Sequence, residues 1–357
     1  MTSGAEWLES LSPWPKDGFG LDRMRALLAA LGDPQLAYPS VHVVGTNGKS
    51  STTRTIEETL LREGVSAGAY TSPHVSGWAE RIRVDGREVD VERTVGAVRA
   101  EAEALAATQF ETLTAAALLA FAEAGVDAAA VEAGLGGRFD ATNVLRSPVQ
   151  VLTNVALEHT EVLGSTREAI AGEKLAVVQP GATVVLGEPE WEPLARQNGA
   201  ARVVVETGGN RALGGAAASA FLGRHVEPAD ARLPGRLDVR GDEIWDGAHT
   251  PEAVRYVAPK LPPVGSIVAS LLADKDVDGM LAELARLCPI LVATRSSSAR
   301  ALPAEALATR ARALFGRVEA EPEPVDALRL AHALGEPVLV TGSLYLLADL
   351  WRSAVHA

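Results

Sequence analysis

The segment Val41-His42-Val43-Val44-Gly45-Thr46-Asn47-Gly48-Lys49-Ser50-Ser51 limits what this chain can fold into more than any other. Val41, Val43 and Val44 are β-branched and suit a short, buried, pleated strand. A glycine-punctuated turn follows, and Ser51 to Glu63 has the Glu, Leu and Arg content of a helix that closes at Gly64. Strand, Gly-rich turn and helix N-terminus in that order make an anion site, because backbone N–H groups and the helix dipole converge there. Lys49 adds a mobile positive charge, and Ser50 or Ser51 offers a hydroxyl to a Mg²⁺ ion bridging phosphate oxygens. The longer loop G-x-x-x-x-G-K-[ST] is not matched, since Val43 stands at its first glycine; the shorter G-T-N-G-K-[ST] form is. An isolated Gly-Lys pair would read as a surface turn. The full run between a strand and a helix reads as a nucleoside triphosphate site.

The rest of the chain sets the frame around that site. Its 357 residues are long for one core, so two domains are expected, and 47% hydrophobic residues fill both. A formal net charge of -13 argues against a general nucleic-acid or anionic-membrane surface, so an anionic substrate must be held by local cations. Cys288 is the single cysteine, lies in an apolar run and has no internal disulfide partner, which points to core packing and a reducing cytoplasm. Met1 to Ser12 shows no basic region ahead of an apolar one, so no signal peptide is expected. Ala115 to Ala122 is too short to cross a membrane, and a soluble protein is expected.

Taken in order, Leu21 to Leu31 has helical apolar spacing and stops at Gly32-Asp33-Pro34. Ala67 to Tyr70 reads as a strand ending at Thr71-Ser72-Pro73-His74, and Arg81 to Val89 as a hairpin around Asp85-Gly86. Val91 to Ala107 is helical in composition, and Thr112 to Ala124 reads as a largely apolar, buried helix, with Phe110-Glu111 ahead of it. Strands are expected at Asp127 to Glu132, Val149 to Asn154, Thr183 to Leu186 and Ala201 to Val205, with helices at Thr166 to Val178 and Asn210 to Leu222. The composition changes at Pro228 to Gly235, which places a boundary there: an N-terminal domain over 1–232 and a smaller one over 233–357. Beyond it, strands are expected at Glu243 to Asp246, Ser266 to Leu271, Ile290 to Ala293 and Val338 to Thr341. The fold class is α/β: a P-loop-type ATPase domain with a mostly parallel sheet, then a smaller α/β domain.

In parallel sheets ligands bind beyond the carboxyl ends of the strands. Ser72, Glu132 and His159 each follow or end an expected strand, on the same rim as Lys49. Taken singly, Glu132 reads equally as a strand-end carboxylate and His159 as a hydrogen-bonded loop residue; the shared rim favours a metal. His is an unusual ligand for hard Mg²⁺. By residue physics alone Lys174 is a solvated helix lysine, Glu111 a dipole partner at a helix start, Asp246 a turn-forming residue and Arg236 an exposed linker arginine.

Together these motifs resemble the folylpolyglutamate synthase/dihydrofolate synthase family, within the larger group of Mur ligases. The likeness runs through Phe19 to Met24, Gly45 to Ser51, Tyr70 to His74 with Glu80-Arg81-Ile82, and Phe110-Glu111. It continues through Val131 to Arg138 with Asp140 to Asn143, Glu158-His159-Thr160, Glu173-Lys174, Leu233 to Arg236, Asp246 to His249, Asp274 to Asp276 and Thr341 to Tyr345. The segment from Glu132 to Asn143 and the order of the whole set are its most specific parts.

The resemblance implies a Mur-ligase-like fold and an ATP-dependent acid–amino-acid ligase. ATP would phosphorylate a carboxylate on a pterin-bearing acceptor, dihydropteroate or a reduced folate, and L-glutamate would displace phosphate. It implies Gly45, Thr46, Asn47, Gly48, Lys49, Ser50, Ser51, Asn210, Arg236 and Asp246 as ATP contacts. It implies Ser72, Glu132, His159 and a carbamylated Lys174 as ligands for two Mg²⁺ ions, with Lys49, Lys174 and His159 serving catalysis. Phe110, Glu111, Phe139, Asp140, Ala141 and His249 would contact substrate. A cytoplasmic monomer with small-molecule partners, no nucleic acid and no membrane is expected. Departures from the family pattern are Ser50 for glycine, Trp78-Ala79 for Phe-Asn, Glu158 for Asp, Thr250 for Asn, and a shortening between Gly187 and Leu233 and in the second domain. They bear on substrate range. The other readings are a Mur-type ligase acting on another carboxylate, such as a peptidoglycan precursor, and a nucleotide-binding module without chemistry.

Overall fold

The computed structural model describes residues 3–15 and 18–355. The chain divides into two compact units, one of Met1–Pro73 with Trp78–Ala231 and one of His74–Gly77 with Arg232–Ala357.

The described part of the first unit carries an eight-stranded sheet. Its strands are β1 (Ser40–Val44), β2 (Ala67–Tyr70), β3 (Ile82–Val84), β4 (Arg87–Glu88), β5 (Ala128–Glu132), β6 (Val149–Leu152), β7 (Thr183–Leu186) and β8 (Arg202–Val205), in the spatial order β4-β3-β2-β5-β1-β6-β7-β8. From β2 across to β8 all neighbours are parallel, and only the β2–β3–β4 edge is antiparallel. Parallel strands need crossovers, and here helices on both faces supply them. The period of two sorts the side chains. Val41, Val43, Ala128, Ala130, Val149 and Val151 pack with Ile56, Leu60, Leu213 and Ala217 of the Lys49–Arg62 and Asn210–Leu222 helices. On the opposite face Tyr70, Ala129 and Val131 meet Leu113, Ala117 and Phe121 of the Gln109–Ala124 helix. There too Val44 and Leu152 meet Ile170 and Leu175 of the Arg167–Leu175 helix.

The second unit has a six-stranded sheet, β13-β12-β11-β14-β10-β9. It is built from β9 (Asp238–Arg240), β10 (Glu243–Trp245), β11 (Ser266–Ala269), β12 (Ile290–Ala293), β13 (Arg317–Ala320) and β14 (Val338–Thr341). Only β9 runs antiparallel. Val75 is buried in this unit's core with Trp245, Val268 and Leu347.

Several elements differ from the sequence reading. The helical stretch expected over Val91 to Ala107 is divided between two short helices, Val91–Gly96 and Arg99–Ala104. The buried helix starts at Gln109 rather than Thr112, so Phe110 and Glu111 lie in its first turn. The cause is a capping box: Thr108 Oγ1 accepts from Glu111 N–H, and Glu111 returns a carboxylate oxygen to Thr108 N–H. The Gly4–Ser10 helix and strands β9 and β13 were not expected; β9 and β13 are edge strands with one or no fully apolar face, which weakens their sequence signal. Among the described residues no helix is long and apolar enough to cross a membrane.

Candidate active site

The carboxyl ends of β1, β2, β5 and β6 meet on one edge of the first sheet, and the chemistry-bearing side chains gather there. Strand β1 runs into Gly45 at φ 148° and Gly48 at φ 82°, and the helix begins at Lys49. A side chain at Gly45 would strike Thr153 Oγ1, and one at Gly48 would strike the Asn210 carboxamide. Glycine is therefore required twice, once for backbone angle and again for close approach. The loop is braced from β6: Asn154 O accepts Thr46 N–H at 2.9 Å, Asn154 Oδ1 accepts Asn47 N–H at 2.8 Å, and Thr46 Oγ1 accepts Ala156 N–H at 3.0 Å. Lys49 Nζ donates to the carbonyls of Gly45 and Thr46, both at 3.1 Å. Asn210 thus stands beside the phosphate loop, at the start of the helix that packs along the loop's own helix.

Glu132, at the end of β5, joins the phosphate-loop helix to the segment after β2. Its Oε1 accepts Ser50 Oγ–H at 3.0 Å and its Oε2 accepts Ser72 N–H at 3.0 Å, with the side chain buried. Of the two candidate hydroxyls it is Ser50 that reaches this carboxylate. His159 caps a one-turn helix at φ 46°, and its Nδ1 lies 3.9 Å from Glu161 Oε1. Among the described residues no three His, Cys, Asp or Glu side chains converge as a metal-binding group. The remaining donors are hydroxyls and Lys174. The Glu132 carboxylate with the Ser50 hydroxyl, at the mouth of a glycine cradle, is the hard-oxygen chemistry that Mg²⁺ takes.

Lys174 is not a solvated helix lysine: it is 1% exposed. Its Nζ donates to Gly45 O at 2.7 Å and to Glu158 Oε1 at 2.9 Å. Burial, with Lys49 close by, brings its pKa down to about 8 against the pull of Glu158. Burial pushes the Glu158 carboxyl up, but Lys49, Lys174 and His159 outweigh it and hold the group below its ordinary value. The sequence named Glu158 in the Glu158-His159-Thr160 motif and as a departure from the family pattern, without a role of its own. Its place between the two lysines had no local signal.

The segment after β5 is organised by Asp140. Its Oδ2 accepts Leu135 N–H at 2.8 Å, its Oδ1 accepts Thr142 N–H at 3.0 Å, and Thr142 Oγ1 donates to the same Oδ1. Burial raises this carboxyl's pKa and those donors oppose the rise. Thr142 Oγ1 also lies 2.7 Å from Nε2 of His42, a fully buried histidine on β1 whose pKa burial lowers to about 4. Phe139 is half exposed and Ala141 is buried. The Phe110 ring faces Tyr70, with centroids 6.0 Å apart, and lies where a Gly134 side chain would sit. Glu111, besides capping its helix, accepts Arg23 Nε–H at 2.8 Å. Arg138 Nε donates to Glu173 Oε1 at 2.9 Å, tying this segment to the helix that bears Lys174.

In the second unit Asp246 follows β10 and closes a turn, accepting Leu237 N–H at 2.8 Å and Ala248 N–H at 2.9 Å. Its pKa is raised by burial, with Arg236 acting against that. Arg236 Nη1 donates to Gly235 O at 3.0 Å, and His249 Nδ1 lies 2.9 Å from Gly247 O.

A mostly parallel sheet whose central strand feeds a glycine cradle, with a buried carboxylate, a hydroxyl and a buried lysine beside it, suits an ATP-dependent ligase of the Mur type. Residues 43–207 match the Mur ligase middle domain. The chain belongs to the folylpolyglutamate synthase/dihydrofolate synthase family. It is 32% identical to the dihydrofolate synthase/folylpolyglutamate synthase of Mycobacterium tuberculosis, across 90% of this chain and 84% of that one. It is 33% identical to the Escherichia coli protein of the same name, across 80% and 79%. Among solved structures, E. coli FolC in complex with DHPP and ADP superposes with a TM-score of 0.87 at 28% identity, covering 99% of this chain and 98% of that one. The Yersinia pestis bifunctional folylpolyglutamate synthase/dihydrofolate synthase with Mn, AMPPNP and L-glutamate bound gives 0.84 at 30% identity, covering 100% and 99%.

Proposed function

We propose that this protein joins L-glutamate to dihydropteroate and to reduced folates at the expense of ATP. The observation that carries the reading is the placement of Glu132, which links the phosphate loop through Ser50 to the Ser72 segment on the rim where Lys49 and Lys174 also lie. A carboxylate is a poor acylating agent until it is phosphorylated, so the acceptor carboxylate takes the γ-phosphoryl group of ATP and ADP leaves. The glutamate amine then attacks the acyl phosphate, inorganic phosphate departs, and the amine loses a proton.

The Gly45–Ser51 backbone and Lys49 bind the phosphates of ATP, and Asn210 stands beside them. Ser50, Ser72, Glu132 and His159 would hold the metal, and Lys174, if carbamylated, would offer oxygen donors to a second ion. Carbamylation needs the neutral amine, which a pKa of about 8 supplies more readily than a solvated lysine does. Mg²⁺, when bound, neutralises phosphate oxygens and makes the γ-phosphoryl group transferable. Phe110, Phe139, Asp140 and Ala141 form the pterin side, and Glu111 supports it by fixing the helix start. Arg236, Asp246 and His249, on the second unit, are assigned to ligand binding by the family resemblance alone. The working unit is a single chain in the cytoplasm, and its ligands are small molecules.

The test is phosphate release by the purified chain with Mg-ATP and L-glutamate, comparing dihydropteroate with tetrahydrofolate. Turnover on both is expected. Turnover on tetrahydrofolate alone would restrict the protein to extending a glutamate tail, and silence on both with ATP still bound would overturn the acceptor assignment.

A further inference from the structure

Strand β1 carries a buried histidine in the middle of a β-branched run. His42 is 1% exposed, and its Nε2 lies 2.7 Å from Oγ1 of Thr142, itself fully buried. The hydroxyl of Thr142 has one proton, and it is directed at Asp140 Oδ1, where Thr142 N–H also arrives. The second contact of the hydroxyl, to His42, must therefore be an accepted one. That assigns the imidazole proton to Nε2 and leaves Nδ1 bare. The chain of donors runs one way, from His42 through Thr142 to Asp140. Asp140 in turn holds Leu135 N–H and so closes the segment from Leu135 to Thr142 on itself.

Two buried polar side chains are a poor means of stabilising a sheet, since apolar groups of similar shape would fill the space without needing partners. What the pair does supply is direction. His42 lies three residues before Gly45 on an extended strand, about 10 Å along the chain from the phosphate loop. The segment it fixes lies at the end of the neighbouring parallel strand β5.

We propose that His42 is a positioning residue for the acceptor: acting through Thr142 and Asp140, it registers the Leu135–Thr142 segment against the strand that delivers the phosphate loop. The proposal rests on the reading of that segment as the acceptor side of the site. It assigns to β1 a double task, with its end holding the phosphoryl donor and its interior histidine setting where the acceptor sits.

The test uses the full chain and the variants His42→Leu, Thr142→Val, the double variant, and Thr142→Ser as rescue. The first readout is amide hydrogen exchange at Leu135 and Thr142 without ligands. The second is the acceptor KM beside the Kd of an ATP analogue. Faster exchange at Leu135 and an acceptor KM raised about tenfold, with analogue Kd within about twofold, are expected for both single variants. The double variant should show the same KM defect as either single change, not their product. It should also regain thermal stability, which a purely structural role would link to regained KM. Thr142→Ser should return exchange and KM to near the unsubstituted values. Unchanged Leu135 exchange, or analogue affinity falling in step with acceptor affinity, would overturn the proposal. If His42→Leu does not fold, His42→Gln keeps a donor near the place of Nε2 and is expected to retain protection of Leu135; loss of protection there would overturn it equally. Should the unsubstituted protein turn over neither dihydropteroate nor tetrahydrofolate while Leu135 exchange still responds, the acceptor reading falls and the His42 relay stands.

Discussion

Lys174 Nζ donates to the carbonyl oxygen of Gly45 at 2.7 Å, so a lysine on the Arg167–Leu175 helix is bonded to the first residue of the phosphate loop. The bond spans 129 positions of sequence. It explains why a lysine is buried here, since its ammonium has a carbonyl and the Glu158 carboxylate as partners. Whatever is done to Lys174 is felt at the phosphate cradle.

Lys174→Ala should lose turnover by about a hundredfold or more, the scale seen when one aimed electrostatic group is removed from an active site. Acetate or formate at high concentration should restore part of it by supplying an oxygen donor. The measurement is kcat with and without added carboxylate; full activity in the unsupplemented variant would exclude Lys174 from the chemistry.

Gly48→Ala should weaken ADP binding by about tenfold or more. Alanine pays about 1 kcal/mol for a left-handed backbone, and its methyl group would meet the Asn210 carboxamide. Titration calorimetry reads this directly. Adding Asn210→Ala should relieve the collision but leaves the backbone strain and removes the Asn210 contact, so the double variant is expected to recover only in part.

Glu57→Leu should destabilise the first unit by about 3–5 kcal/mol, the usual result of leaving a buried charge alone. Glu57 is fully buried on the phosphate-loop helix, accepts Arg54 Nη1–H at 2.8 Å, and has Arg83 Nε 3.2 Å away. Burial raises its pKa, and Arg54 and Arg83 oppose that. Arg54 Nη2 also reaches the Glu80 carbonyl at 3.4 Å. Urea denaturation should show the loss as a lower midpoint; a shift under about 1 kcal/mol would mean that Arg54 and Arg83 find other partners.

His332→Gln should cost stability at pH 6 and almost none at pH 9. His332 Nδ1 lies 2.7 Å from Glu336 and Nε2 lies 3.0 Å from Glu243. Its slight burial lowers the pKa, but hydrogen bonds to Glu243 and Glu336 outweigh that and leave it above the ordinary value. A histidine pKa raised on folding adds stability that is complete below the unfolded pKa of about 6.5 and disappears as pH rises through the folded value. Melting curves of both proteins across this range should converge on the alkaline side. A gap that widens with pH would contradict the ion pairs.

The sequence by itself determined those features whose physics is local. β-Branched runs, glycines at the ends of strands, and helix-forming stretches set the alternation of strand and helix, so the strands at 183–186, 290–293 and 338–341 and the helix at 210–222 were legible to the residue. The phosphate loop was legible for the same reason, because its ligand groups are its own backbone. Glu132, Ser72 and Lys49 could be placed on one rim because parallel strands share a direction. Only tertiary structure decided which side chains became partners. A lysine in a helical run reads as solvated until the fold buries it against Gly45 and Glu158. Glu111 reads as a helix-dipole residue until Thr108 and Arg23 close around it. His42 and Asp140 have no sequence relation, and meet through Thr142 because β1 and β5 are adjacent. Hydrogen bonds and desolvation act over a few ångströms of space and are indifferent to the hundred residues of chain between their partners, which a linear pattern cannot encode.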